Sequence, residues 1–164
     1  GNYIINLTRA NKPVYTLFML DDGMFRVVDH EITYGGVGKN QIKWYEWAVK
    51  GIADENGGQT VPNLAFMHVP VPEQKDNFKM GLRLEETTCA TVNDGFFDSF
   101  KSHGRTHMYA GHDHNNNFIS EKDGIELNYM TKSSYNCYFS FKALGATELT
   151  LDKDNNINEK IIDF

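Results

Sequence analysis

The chain has 164 residues, of which 40% are apolar and 13% aromatic, so it can bury a core as one domain. It carries 16 basic and 22 acidic side chains, for a net charge of −6, and has no basic stripe to attract a nucleic-acid backbone. This composition argues against a disordered chain and against nucleic acid as a bulk ligand. No run of about 18 apolar residues occurs, so no membrane span is predicted.

The first half of the chain alternates strand and helix patterns. Residues 14–20 form an apolar run that ends in a turn, which is typical of a buried strand. Apolar residues recur at helical spacing from residue 42 to residue 52, which predicts a helix with Asn40 as its N-cap and an end near residues 55–58. Residues 63–67 predict a second buried strand, which stops at His68.

The second half contains more strands than helices. Residues 73–88 show no periodicity and are predicted to be irregular, whereas the phenylalanines in residues 93–102 predict a short amphipathic helix. A buried strand is expected over residues 106–110, broken at Gly111. Further strands are expected in a hairpin (118–120 and 125–130) and in the tail (146–151 and 157–164). The pattern predicts a single domain over residues 1–164 with mixed α/β layers.

Two histidines directly follow one of the predicted buried strands. His112 and His114 are separated by one residue and come just after Gly111, so their imidazoles can converge on one point. Neutral imidazole is the commonest protein ligand for zinc and also suits iron and manganese-type sites. The alternative is a pair of solvated histidines in a polar turn.

A third histidine, His68, also follows the carboxyl end of a predicted strand. In open α/β sheets the loops at the carboxyl ends of strands build the functional site. If the two strands are parallel neighbours, the three histidines meet at one edge, and we predict a metal site made of His68, His112 and His114. The other histidines are predicted to be solvated or structural: His30, His103 and His107.

The residues around these histidines resemble the calcineurin-like metallophosphoesterases, in particular their purple-acid-phosphatase-like branch. Residues 63–73 resemble a strand end of that branch, and Gly111-His112-Asp113-His114-Asn115 is similar to the family's G-H-x-H block. Supporting matches occur along the whole chain, in residues 17–21, 39–44, 81–85, 93–97 and 144–146. The resemblance implies an α/β (α+β) fold, the C-terminal half of a four-layer αββα sandwich with a mixed sheet flanked by helices.

The resemblance also implies a chemistry. Family members hydrolyse phosphate mono- or diesters with a water activated by two divalent ions of the Mn, Fe or Zn type. By the family pattern, His68 and His112 would bind one ion and His114 the other, while Asp113 would point away from the site. The segments around Glu85 and Tyr135 match branch-typical positions, for which only a rim or packing role is expected.

The sequence departs from the family because its D-x-H, G-D and G-N-H-[DE] blocks are missing. Those blocks would supply the bridging aspartate, the asparagine ligand and the histidine that protonates the leaving group. We therefore expect the C-terminal half of a catalytic domain, with the catalytic residues upstream of Gly1. At most one ion and little or no turnover are expected of the isolated chain. The N-terminal half, or another chain, is expected to cover an exposed sheet edge.

Two alternatives stay open. The chain could be a non-catalytic metal-binding or structural piece of the same fold. It could also be a cupin-like oxygenase, because Glu121 follows the His112-x-His114 pair, although the spacing is longer than usual and the strand–helix alternation does not suit a β-barrel. Cys89 and Cys137 show no C-x-x-C spacing, so one disulfide and two thiols are both open.

Overall fold

The computed structural model describes residues 1–104, 106–154 and 156–164. Two α-helices occur in this described part of the chain, α1 (Lys39–Glu55) and α2 (Phe96–His103). The strands, in chain order, are β1 (Tyr3–Arg9), β2 (Lys12–Met19), β3 (Phe25–Val28), β4 (Glu31–Tyr34), β5 (Asn63–Phe66), β6 (Phe78–Arg83), β7 (His107–Ala110), β8 (Asn116–Lys122), β9 (Ile125–Tyr129), β10 (Gly145–Leu151) and β11 (Ile157–Asp163).

Seven strands form one mixed sheet in the order β1-β2-β5-β7-β9-β8-β6. The four central strands, β2, β5, β7 and β9, run parallel to one another, and the outer strands pair antiparallel with their neighbours. Central parallel strands are buried on both faces and therefore need nearly continuous apolar runs. The predicted mixed α/β fold is confirmed.

Helices α1 and α2 cover one face of this sheet. The ring of Phe18 in β2 packs edge-on against Tyr45 of α1, with centroids 4.7 Å apart, and Phe100 of α2 packs against the same tyrosine. The Tyr45 hydroxyl donates a hydrogen bond to Asn63 Oδ1 at 3.1 Å, which satisfies its polar end inside the core. The cluster also contains residues from the other central strands: Ala65, Met108 and Leu127.

The opposite face of the sheet is only partly covered. Strands β10 and β11 pair antiparallel as a separate hairpin, and their apolar side chains pack against the large sheet. The Tyr109 hydroxyl donates a hydrogen bond to the Glu159 carboxylate across this contact. Beyond the hairpin, alternate residues of β1 stay exposed on the same face: Tyr3, Ile5 and Leu7. The structure thus leaves an open apolar surface at the β1 end, which we call the open face.

Most predicted elements are confirmed, including α1, α2, the β8–β9 hairpin and the two tail strands. The predicted N-cap is wrong: α1 begins at Lys39, Gly38 is the N-cap, and its N–H donates to Gln41 Oε1 at 2.9 Å. The prediction that residues 73–88 are irregular is also wrong, because β6 lies within them. Apolar and polar residues alternate from Phe78 to Arg83, which is typical of a strand, although every residue of β6 is exposed.

Cys89 and Cys137 are both free thiols, with no disulfide between them. Cys89 is half-buried and Cys137 is exposed. Burial raises the pKa of the Cys89 thiol to about 11. Neither helix in the described residues is long and apolar enough to cross a membrane.

The edge strand β6 depends on a glycine. Gly81 has φ +109°, and a Cβ added there would lie 2.5 Å from the Asn117 carbonyl oxygen in β8. We expect Gly81→Ala to lower the free energy of unfolding by about 1–3 kcal/mol. Gly51→Ala, in open space on α1, should raise it by about 1 kcal/mol. Urea denaturation of both variants tests this, and a stabilised Gly81→Ala protein would contradict it.

Candidate metal centre

The four parallel strands deliver four loops to one edge of the sheet. Asp22 follows β2, His68 follows β5, His112 follows β7 and Tyr138 belongs to the segment after β9. Because the strands are parallel, their carboxyl ends lie together, which is where open α/β sheets build ligand sites. The condition set by the sequence, that β5 and β7 be parallel neighbours, is met.

His68 and His112 are in direct contact. Nε2 of His68 lies 3.2 Å from Nδ1 of His112, and the rings meet edge to face with centroids 5.1 Å apart. His68 is exposed and His112 is half-buried. Burial, together with the nearby His68 and His114, lowers the pKa of His112 and favours the neutral imidazole that metals bind.

The backbone around His112 is held in an unusual conformation. His112 has φ +91°, in a region that few non-glycine residues adopt. The Asp113 N–H donates to the Tyr129 hydroxyl at 2.7 Å, and the buried Asp113 carboxylate accepts the Thr88 N–H at 2.8 Å. Glu85 accepts the Asn115 N–H at 2.6 Å. These contacts fix the loop on both sides of His112 and turn Asp113 away from the imidazoles.

Asp22 fixes the other histidine loop. Its buried carboxylate accepts the Val69 N–H at 2.6 Å and also the N–H of His68. Burial raises the pKa of Asp22, while these two N–H donors act in the opposite direction. No sequence pattern singles out Asp22, because its role depends on the approach of the loops that follow β2 and β5.

His114 lies apart from the contact between His68 and His112. Its Nδ1 is 2.9 Å from the Tyr138 carbonyl oxygen, and its ring stacks on the Tyr138 ring at 4.4 Å. Nε2 of His114 remains for another partner. Among the described residues, no three His, Cys, Asp or Glu side chains are grouped closely enough to hold an ion by themselves. The structure therefore brings together two of the three predicted ligands.

The remaining candidates lie elsewhere. His30 and His103 are exposed, and His107 in β7 lies 3.3 Å from a Glu126 carboxylate oxygen. Glu121, which the cupin alternative requires as a ligand, pairs with Lys79 at 2.6 Å. The mixed sheet with its helices is not a β-barrel, so the cupin alternative is wrong.

An open cleft adjoins the histidines on the side of the open face. It has a volume of about 540 Å³ and extends from His68 and Gly111 along the ends of the central strands. Its floor is largely apolar and includes Met19, Phe66 and Tyr109. The cleft therefore joins the candidate site to the surface that the β10–β11 hairpin leaves uncovered.

Known proteins with similar sequences point to one family. The chain is 30% identical over 155 residues to a probable inactive purple acid phosphatase 29 of Arabidopsis thaliana, covering 84% of this chain and 40% of the relative. It is 32% identical over 139 residues to a probable inactive purple acid phosphatase 14 of the same plant, covering 77% and 35%. The sequence of this chain is therefore similar to purple-acid-phosphatase-like proteins over part of their length. No family model matches the chain.

A solved structure supports the fold of this family. A dimetal phosphatase from Danio rerio superimposes with a TM-score of 0.51 and 15% identity, covering 79% of this chain and 48% of that one. The chain spans about two fifths of the length of the curated relatives that it matches. The sequence similarity to purple acid phosphatases and the fold shared with a dimetal phosphatase therefore agree.

The contact between Asp22 and the His68 loop can be tested. We expect Asp22→Ala to lower the free energy of unfolding by about 1–3 kcal/mol, because the N–H groups of Val69 and His68 lose a buried acceptor. It should also shift the NMR signals of the His68 ring. Asp54→Ala, which removes an exposed carboxylate of α1, should cost about 0.5 kcal/mol or less. Equal costs for the two variants in urea denaturation would contradict the role given to Asp22.

Proposed function

We propose that this chain supplies the histidine side of a two-metal phosphoesterase site. The observation that carries the proposal is the 3.2 Å approach of His68 Nε2 to His112 Nδ1 at the carboxyl edge of the parallel strands. The phosphatase names of the relatives and the fold shared with a dimetal phosphatase support it. The proposed substrate of the parent protein is a phosphate mono- or diester.

The histidine nitrogens fit a metal ion chemically. Two imidazole nitrogens bound to one tetrahedral ion at 2.0–2.1 Å would lie about 3.4 Å apart, close to the spacing of His68 and His112. His68 and His112 would hold one ion, and Nε2 of His114 would serve a second. Divalent ions of the Mn, Fe or Zn type in such a site offset phosphoryl charge and lower the pKa of a bound water.

The carboxylates of this edge are engaged in other contacts. Asp22, Asp113 and Glu85 each accept backbone N–H groups, so they position the loops and are not offered as ligands. We infer that the carboxylate ligands come from outside this chain and that the isolated chain holds at most one ion. The word "inactive" in the relatives' names favours a second candidate function, a metal-binding or structural piece without catalysis.

The missing partner has a place to bind. The open face presents Tyr3, Ile5 and Leu7, and strand β1 has no partner on its outer edge within the described residues. A bare apolar strand of this kind invites pairing with another chain. We propose that the N-terminal half of the same domain, or another chain, covers this face and edge and brings its ligands to the cleft beside His68.

Zinc binding tests the metal site directly. In isothermal titration calorimetry we expect no more than one ion per isolated chain. Removal of a residue that only hydrogen-bonds to a metal ligand weakens metal binding about 10- to 100-fold. Because His68→Ala and His112→Ala each remove a ligand itself, each should weaken zinc binding by more than that. His103→Ala removes an exposed histidine of α2 and should leave affinity unchanged. Unchanged zinc affinity in both His68→Ala and His112→Ala would contradict a metal site shared by these two histidines.

Hydrolysis of p-nitrophenyl phosphate with added Mn²⁺ or Zn²⁺ tests whether the chain is catalytically complete. We expect the isolated chain to show no turnover above the free metal ions, because a bridging carboxylate and a proton donor are missing. Addition of an N-terminal half from a relative should raise the rate, and His112→Ala should remove the gain. Robust turnover by the isolated chain that depends on His112 would contradict the split site.

A further inference from the structure

Each histidine of the His-x-His pair is flanked by an exposed tyrosine. The Tyr34 ring meets His112 edge to face, with centroids 4.8 Å apart and planes at 73°. The Tyr138 ring stacks on His114 at 4.4 Å and 19°. Tyr34 is 37% exposed and Tyr138 is 52% exposed, so both rings keep surface free for another molecule. We call these two tyrosines the aromatic rim.

On the Tyr34 side, the rim continues along the β3–β4 hairpin. The Phe25 ring stacks on Tyr34 with centroids 5.9 Å apart, and the hairpin register pairs Val27 with Ile32 next to them on the same face. The hairpin contacts the rest of the domain through Arg26, which lies outside this apolar face and pairs with the buried Asp94 carboxylate at 2.5 Å. The attachment leaves the apolar face of the hairpin exposed beside His112.

On the Tyr138 side, the segment after β9 supplies further rings. Tyr135, Phe139 and Phe141 contact one another in two edge-to-face pairs, with centroids 5.6 and 5.2 Å apart. Tyr138 itself is held by His114, whose backbone N–H donates to the tyrosine hydroxyl at 3.3 Å. Tyr138 is thus held at the candidate site by hydrogen bonds as well as by stacking, whereas Tyr34 contacts His112 through its ring.

This arrangement suits one kind of phosphoester. The imidazoles of the site histidines form its polar end, and the rings next to them, Tyr34 and Tyr138, are partly exposed. We propose that the site selects phosphoesters of aromatic alcohols, with Tyr34 and Tyr138 as the specificity-determining residues. The inference rests on the proposed phosphoesterase function and adds the class of the leaving group.

An aromatic leaving group is favoured over an aliphatic one by the shape of the rim. Ring pairs gain from offset stacking or edge-to-face contact beyond the apolar area they bury. Tyr138 presents a flat ring whose one side lies on His114, so its other side can stack on a flat group. An alkyl chain gains only from buried area. Stacking of this size corresponds to about two- to tenfold in affinity for each ring.

The test compares ligands that differ only in the leaving group. The zinc-loaded chain is titrated with phenyl phosphate, ethyl phosphate and inorganic phosphate, and dissociation constants are measured by NMR. We expect phenyl phosphate to bind about tenfold more tightly than ethyl phosphate. Tyr34→Leu and Tyr138→Leu should each reduce that ratio at least twofold, whereas Tyr138→Phe, which keeps the ring, should preserve it. Trp47→Leu, an exposed aromatic residue of α1, is the matched control.

The controls separate this inference from the proposed function. Zinc and inorganic phosphate affinities are measured on the same samples, and thermal unfolding verifies that each variant is folded. If zinc and phosphate bind but phenyl and ethyl phosphate bind equally, the aromatic selectivity is wrong and the metal site stands. If the ratio survives both leucine variants, the assignment to Tyr34 and Tyr138 is wrong. Failure of zinc to bind would overturn the proposed function and this inference together.

Discussion

The candidate site depends on the parallel pairing of β5 with β7. Hydrogen bonds continue past the ends of both strands, because the Met67 N–H donates to the Tyr109 carbonyl and the Gly111 N–H donates to the His68 carbonyl. The pairing therefore extends to the histidines themselves. Neighbouring strands are about 4.8 Å apart, so aligned strand ends bring imidazoles within contact distance. A shift in this register would move His68 and His112 apart.

The acidic residues of this edge strengthen the loops without completing a metal site. Asp22 holds the loop of His68, and Asp113 and Glu85 hold the loop that carries His112. Preorganised loops keep ligands in place, and buried carboxylates that accept N–H groups are well suited to that task. We propose that additional ligands enter at the cleft beside His68 and at the open face. The length of the relatives agrees, since they contain far more sequence than this chain.

Sequence patterns predicted the parts of the molecule in which burial controls the residue pattern. The apolar runs of β2 and β5 and the periodicity of α1 reveal buried elements, and the contact of His68 with His112 follows from parallel strand ends. Strands β1, β3, β4 and β6 are not predicted, because most of their residues are exposed and none contains a buried apolar run. Strand β6 alternates regularly between apolar and polar residues, yet none of them is buried. Asp22 and Tyr138 reach the site only through loops brought together by the tertiary fold.

The proposed metal site requires that His68 and His112 bind the same ion. X-ray absorption spectroscopy of the chain loaded with one equivalent of zinc measures the ligands of that ion directly. If His68 and His112 share the ion, at least two imidazole nitrogens should lie about 2.0–2.1 Å from it in the native protein. In His112→Ala the number of bound imidazoles should fall by one. An ion with no imidazole ligand, or a coordination shell that His112→Ala leaves unchanged, would contradict the account.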